Sequence, residues 1–285
     1  MRRPPLVNDA ITIDELGIET GRYAEYLLKS AYQPVYEHRD GMLHPFAVEG
    51  LVRPFVDGRA VPVASLFADV WPEDRFFIES MCRALHLRNH HNLGVAGLEL
   101  FFNYDPRVNG DLDRSVEQLR FMARRLEAID LDIRFLICEI IESAALTRDT
   151  FVRVAAEMRR LGMRLAIDDF GAGHSTLERV QLIEPDFVKI DGAWFRRIAA
   201  APGASRLLAN LFEGFHQGGA AVLVEGVETA AQLRTAIDAG ADCVQGYLLG
   251  HPELVGGDID LSPKPIEHFI YSTENVVRFQ RRAYA

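Results

Sequence analysis

Cysteine is scarce in this chain. Cys82, Cys138 and Cys243 are the only three in 285 residues, and no two form a Cys-x-x-Cys pair. That spacing excludes a zinc ribbon and a disulfide framework, and it reads as buried thiols in a reducing compartment. Long apolar runs are absent too, so no membrane span is expected. The opening "MRRPPLVNDA" carries two arginines with no apolar stretch behind them, unlike a secretory leader. A cytoplasmic protein without a membrane partner is the simple expectation. Positive charge is in deficit: 31 Lys and Arg against 41 Asp and Glu leave a net charge of −10. A nucleic-acid polymer is a poor partner for such a chain, because it selects a basic footprint. An acidic site still accepts a small anionic ligand if metal ions neutralise both sides. No internal repeat and no low-complexity linker divides the sequence.

Short apolar, β-rich runs recur instead. They are "YQPVY" (32–36), "PFAVEGLV" (45–52), "GLELFFN" (97–103), "RFLICEII" (134–141), "RLAIDD" (164–169), "FVKID" (187–191), "AVLVEGV" (221–227) and "CVQGYLL" (243–249). Helical periodicity lies between most of them. "DRSVEQLRFMARRLEAI" and "TRDTFVRVAAEMRRLG" are the clearest cases, the second closing on Gly162. Strands alternating with helices imply parallel pairing, since a parallel crossover needs a dozen or more residues. The connection "EHRDGML" (37–43) is too short for a helix, and Asp40-Gly41 is a hairpin signal. The expected fold is therefore an α/β, TIM-like (β/α)8 barrel with its first strand antiparallel. Such barrels use about 200–250 residues as one domain. Residues 1–30 read as a helical lead-in, 31–261 as the barrel and 262–285 as a closing segment.

In a barrel, the C-terminal ends of the strands build the site. Here those ends deliver Glu49, Asn103, Glu139, the pair Asp168–Asp169, Lys189 with Asp191, Glu225 with Glu228, and Gln245. A single strand-end carboxylate is commonly a solvated charge or a helix cap. Seven strands ending alike is different, because clustered carboxylates need compensating cations. Carboxylate and amide oxygens suit Mg²⁺ or Mn²⁺, whereas zinc favours His and Cys. Gly171 and Gly173 let the chain after Asp169 bend close over such a site. Asp169-Phe170-Gly171 and His38-Arg39-Asp40 also spell two kinase motifs. Only 37 residues precede the second, Pro45 stands where a kinase needs Asn, and over a hundred residues separate the two. His38-Arg39-Asp40 is a turn.

Taken in order, "YQPVYE", "VEGLVR", "NYDP", "CEIIES", "IDDFGAGHSTL", "DFVKID", "VEGVET" and "VQGYLLGHP" resemble the motifs of the EAL domain family over about residues 30–252. These are bacterial phosphodiesterases that linearise cyclic di-GMP. The resemblance implies that Glu49, Asn103, Glu139 and Asp168 hold one Mg²⁺ or Mn²⁺, and that Asp168 and Asp169 serve a second. It implies catalytic roles for Lys189, Glu225 and Asp169, and ligand contacts for Gln33, Arg53, Asp191 and Gln245. Glu142 would anchor the loop after Asp169. The resemblance also implies a homodimer near that loop and the linear product pGpG. A non-hydrolytic EAL-like domain, serving as a cyclic di-GMP receptor or a protein-interaction module, is the competing reading, as is hydrolysis of another phosphodiester.

Three departures stand out. Gly50 replaces the alanine of the signature triplet and leaves Glu49 intact. His174 stands where an aromatic Tyr is usual, and Thr176 where Ser is frequent. Segment 54–96 matches the family poorly and is expected to shape ligand entry or a partner surface.

Overall fold

The structure is a computed structural model, which describes residues 6–106, 112–127, 131–140, 147–173, 177–201 and 203–270. Thirteen strands are present among these: β1 (Ile11–Ile13), β2 (Glu19–Tyr23), β3 (Tyr26–Arg39), β4 (Met42–Val56), β5 (Arg59–Ala60), β6 (Glu99–Tyr104), β7 (Leu136–Ile140), β8 (Arg164–Phe170), β9 (Phe187–Ile190), β10 (Ala221–Val224), β11 (Cys243–Val244), β12 (Glu253–Leu254) and β13 (Lys264–Pro265). The helices are α1 (Val63–Asp69), α2 (Arg75–Asn89), α3 (Leu112–Glu127), α4 (Arg148–Arg160), α5 (Leu177–Ile183), α6 (Gly192–Ala199), α7 (Ala204–Gln217), α8 (Ala230–Asp238) and α9 (Glu267–Ile270).

Eight strands close on themselves in the order β3-β11-β10-β9-β8-β7-β6-β4, with β4 returning to β3. Neighbours from β4 through β6 to β11 are parallel, and β3 is antiparallel to both β4 and β11. This is the (β/α)8 barrel with one reversed strand. The reversal follows from the Asp40-Gly41 turn: both residues have positive φ, 53° and 73°, and Arg39 pairs directly with Met42. The expected helices are in place. Thr147 caps α4 by accepting a bond from Thr150 N, and Gly162 follows it at φ 94°.

Two apolar layers make the barrel rigid. Between strands and helices lies the main core, which includes Phe102, Tyr104, Leu119, Phe151, Phe195 and Phe212. Inside the barrel one ring of side chains fills the floor: Val35, Ala47, Phe101, Ile137, Ala166, Phe187, Leu223 and Cys243, one from each barrel strand. At the lower end Arg164 lies over the Phe187 ring and pairs with Glu99.

The leading segment corrects the expectation of a helix. Residues 11–23 form the β1–β2 ribbon, and β3 begins at Tyr26. Asp14 Oδ1 accepts bonds from the backbone N–H groups of Leu16 and Ile18, both at 2.9 Å, and Gly17 has φ 80°. That local turn chemistry competes with a helix and ends it before it starts. Strands β3 and β4 run 14 and 15 residues, against 6 in β6 and 2 in β11 beside them, so the hairpin overshoots the barrel at the carboxyl face. The overshoot, with α1 and α2, encloses a second core of Tyr26, Leu28, Leu66, Phe77, Ile78, Met81 and Leu85. Segment 54–96 and the leading residues therefore form one substructure beside the barrel mouth.

Gly246, just after β11, tests this closure. A Cβ there would sit 2.1 Å from Val227 O and 2.2 Å from Val227 N, backbone atoms that cannot turn aside. Gly214 in α7 has open space instead. Gly246→Ala is expected to cost on the order of 3 kcal/mol, whereas Gly214→Ala should stabilise by about 0.5–1 kcal/mol. Urea unfolding of both variants checks the opposite signs.

Candidate active site

Strand alternation builds the site directly above the apolar floor. Side chains two residues apart share a face. Two residues beyond each floor position on the seven parallel strands stand Glu49, Asn103, Glu139, Asp168, Lys189, Glu225 and Gln245. Two residues before Val35, on reversed β3, stands Gln33. Every barrel strand thus contributes one polar residue to one layer, and the register of neighbouring strands keeps them level, as with Asn103 beside Glu139.

Lys189 is the hub. It is 1% exposed, and its Nζ lies 2.6 Å from Glu139 Oε1, 2.8 Å from Glu225 Oε1, 3.0 Å from Asp168 Oδ1 and 3.5 Å from Glu49 Oε1. Burial works against the ammonium, but the surrounding carboxylates of Asp168, Glu139 and Glu225 hold its pKa well above the ordinary lysine value. One cation does not satisfy so many anions. Burial pushes Glu139 well above the usual carboxylate range, Glu225 up to about 8, and Asp169 upward as well. Gln245 Nε2 donates to Glu49 Oε2 at 2.8 Å and holds that carboxylate in place.

Asp169 breaks the alternation. A regular strand would turn it away from Asp168. Its φ is 54°, and the β8–β9 register carries an extra residue on β8 between Ile167 and Phe170. As a result, carboxylate oxygens of Asp168, Asp169 and Glu225 all lie within 4.8 Å of one another. Gly171 follows at φ 103°, and a Cβ there would meet the Trp194 indole at 2.6 Å. Trp194 therefore packs directly on the turn.

This donor set fits divalent cations. Glu139 Oε2 is closed off with no hydrogen-bond partner, and the group is all oxygen apart from one lysine. Asn103 and Arg53 line a cavity of about 720 Å³ on one side, together with Arg75, Glu79, Arg83 and His86. Gln33, Glu49, Glu225 and Gln245 line a second cavity of about 310 Å³, beside Arg196 and Tyr247.

The cluster therefore brings together Glu49, Glu139, Asp168, Asp169, Lys189, Glu225 and Gln245. Gln33 Nε2 donates to Gly250 O at 3.0 Å, and Arg53 Nη1 donates to Val52 O at 3.0 Å. Asp191 is engaged as the cap of α6, accepting from Trp194 N at 2.7 Å. Glu142, His174 and Thr176 lie outside the described residues. Trp194, Arg196 and His86 belong to the surroundings of the site and were not singled out by sequence. Asp191-x-x-Trp194 at a helix start was the one local signal available.

A model of the EAL domain matches residues 24–252. This chain belongs to the EAL domain family. Cyclic di-GMP phosphodiesterase NbdA of Pseudomonas aeruginosa is 28% identical over 242 residues, 79% of this chain and 29% of that protein. Cyclic di-GMP phosphodiesterase PdeF of Escherichia coli is 31% identical over 143 residues, 49% of this chain and 19% of that protein. This EAL chain thus spans less than a third of the length of these curated relatives. Among solved structures, Klebsiella pneumoniae BlrP1 in a calcium and cyclic di-GMP complex superposes with a TM-score of 0.70 at 26% identity, covering 81% of this chain and 57% of that one. A manganese and cyclic di-GMP complex of the same protein matches equally, with a TM-score of 0.70 at 26% identity over 80% of this chain and 56% of that one. A standalone EAL protein from Vibrio cholerae, in its c-di-GMP-bound form, shares the fold with a TM-score of 0.70 at 24% identity over 81% of this chain and 94% of that one. No helix among the described residues is long and apolar enough to cross a membrane.

The raised carboxylates set a pH dependence for metal-free protein. Unfolded, Glu225 and Glu139 ionise near 4.5; folded, Glu225 ionises at about 8 and Glu139 well above its ordinary value. Between those limits the folded state holds more protons than the unfolded chain, so stability falls as pH rises. Thermal melts in EDTA should drop across pH 4.5 to 8, and Mg²⁺ or Mn²⁺ should flatten the slope. Melts independent of pH in EDTA would contradict the buried cluster.

Proposed function

We propose that this EAL domain is a metal-dependent phosphodiesterase that opens cyclic di-GMP to linear pGpG. The observation that carries the reading is the cluster of Glu49, Glu139, Asp168 and Glu225 around Lys189, with Asp169 beside it. Glu49, Asn103, Glu139 and Asp168 would hold one Mg²⁺ or Mn²⁺, and Asp168 with Asp169 a second. Bound there, divalent ions supply Lewis acidity to the phosphoryl oxygens and acidify the attacking water.

The chain's own groups do the rest. Glu225 Oε1 and Lys189 Nζ are in direct contact at 2.8 Å, so a water bound beside the pair would meet an acceptor and a donor together. Glu225 takes the proton as the water oxygen bonds to phosphorus. The ribose 3′-oxygen departs in line and takes a proton from solvent water, leaving the phosphate on the 5′-oxygen of its neighbour. Lys189 stabilises the charge that builds on the phosphoryl oxygens, and a fixed buried cation does this without reorganisation. Arg53 offers a guanidinium suited to a phosphate. Gln245 keeps Glu49 aimed through its bond to Oε2. The two cavities flank this centre and give the two halves of a dinucleotide separate places.

The test is incubation of purified protein with cyclic di-GMP and Mg²⁺ or Mn²⁺, with products separated by chromatography. pGpG is expected, and Asp168→Ala should abolish it. Lys189→Met should lower kcat by about 10²–10³-fold. Tight binding without product would make the domain a receptor. Absence of both would overturn the reading.

A further inference from the structure

Glycine at position 50 has a spatial cause. Gly50 has an ordinary backbone, not a left-handed one, so conformational freedom does not explain it. A Cβ there would lie 3.0 Å from both Cβ and Cγ of His86, and 3.4 Å from Cδ2. The imidazole from α2 fills the space that the alanine methyl of the family triplet would need.

His86 is held on three sides. It is 5% exposed, its Nδ1 lies 2.9 Å from Ser30 Oγ, and its carbonyl accepts a bond from Tyr32 Oη at 2.6 Å. Ser30 Oγ also accepts from Asn89 Nδ2 at 3.4 Å, and the same amide donates to Glu19 O at 2.8 Å. Asn89 Oδ1 in turn accepts from Glu19 N at 2.8 Å, which fixes the amide's orientation. The serine hydroxyl keeps one proton and a second lone pair, so it can donate to Nδ1 while accepting from the amide. With the serine donating, a neutral imidazole carries its proton on Nε2. Burial, with the Arg53 charge nearby, depresses the ring's pKa to about 3 and keeps it neutral. Nε2 makes no hydrogen bond among the described residues. The ring borders the 720 Å³ cavity, where Gly50, Arg53, Asn103 and Asp105 also lie.

We propose that His86 is a substrate-binding residue. With Ser30 donating to Nδ1, its Nε2–H donates to an acceptor atom of the cyclic dinucleotide beside Glu49, and Gly50 provides the room for it. A methyl at position 50 would press on the ring at 3.0 Å and push it by a few tenths of an ångström. This inference rests on the function proposed above. It makes the family's signature triplet and the divergent segment 54–96 a matched pair in this chain.

The experiment is a calorimetric titration of cyclic di-GMP with Ca²⁺ present, using wild type, His86→Asn and His86→Gln. Asparagine keeps an acceptor near the Nδ1 position for Ser30 and lacks the distal donor. Glutamine places an amide N–H near the Nε2 position. The Asn variant should bind about 5–10-fold more weakly, one hydrogen bond's worth, and the Gln variant within about twofold of wild type. Imidazole ¹⁵N shifts of the wild-type protein should report the Nε2–H tautomer, a readout that does not depend on either variant folding. An Asn variant that binds like wild type, equal losses in both variants, or an Nδ1–H tautomer would each overturn the role of His86. Failure of wild type itself to bind would overturn the functional reading and this inference together, whereas binding with no effect of His86→Asn sinks the inference alone.

Discussion

One buried ammonium organises the mouth of this barrel. Lys189 Nζ stands within 3.5 Å of four carboxylates from four different strands. Each of those groups is expensive to bury alone, and together they repel. The lysine offsets part of that cost and fixes where each carboxylate points. What remains is a negative excess that protons or divalent cations must neutralise. The raised carboxylate pKa values are the metal-free protein's response, and cation binding is the alternative. The same charge imbalance suits the cluster to hard cations.

The cluster holds its shape because the floor beneath it is apolar and full. Phe101 lies under Lys189, with the ammonium 5.9 Å from its ring centre, and Phe46, Phe101 and Phe187 pack ring against ring below. A close-packed floor gives the polar layer no room to sink or tilt. Above the layer, the long β3–β4 hairpin and α2 rise on one side. The asymmetry of the mouth follows from hairpin length: the overshoot brings Arg53 and α2 to one flank, while the turn after β11 brings Tyr247 to the other.

Much of this was legible in the sequence, for local reasons. Apolar runs, helix caps and the Asp40-Gly41 turn each act over a few residues, and period-two alternation carried the polar residues to one rim. The lead-in was misread because "ITIDELGIETGRYAEYLLKS" contains helix formers, while the deciding signals were Asp14 and Gly17, which make a turn. Asp191 reads as a site residue by its place after Lys189, yet one of its oxygens is spent on Trp194 N. The Gly50–His86 contact was out of reach. It joins residues 36 positions apart through a packing that no periodicity encodes, and Gly50 alone reads only as a lost methyl.

The adjacent aspartates show how backbone geometry and chemistry meet. A strand delivers alternate side chains to one face, so two neighbours reach a common centre only if the backbone between them departs from the strand. Here the extra residue in β8 and the left-handed Asp169 supply that departure. For a non-glycine residue this conformation costs on the order of 1 kcal/mol, and aspartate tolerates it better than most. The cost persists because the turn is pinned on both sides: Ala172 N donates to Asp169 O at 3.0 Å, Asp191 N donates to Phe170 O at 3.1 Å, and Trp194 closes over Gly171. Asp191, by capping α6, sets the position of Trp194 and hence of the turn. The pairing of Asp168 with Asp169 is thus maintained by the turn's backbone bonds and by Trp194 packed on Gly171. A strained backbone held this firmly is how two neighbouring aspartates on one strand come to present their carboxylates, with Glu225, within 4.8 Å of one another.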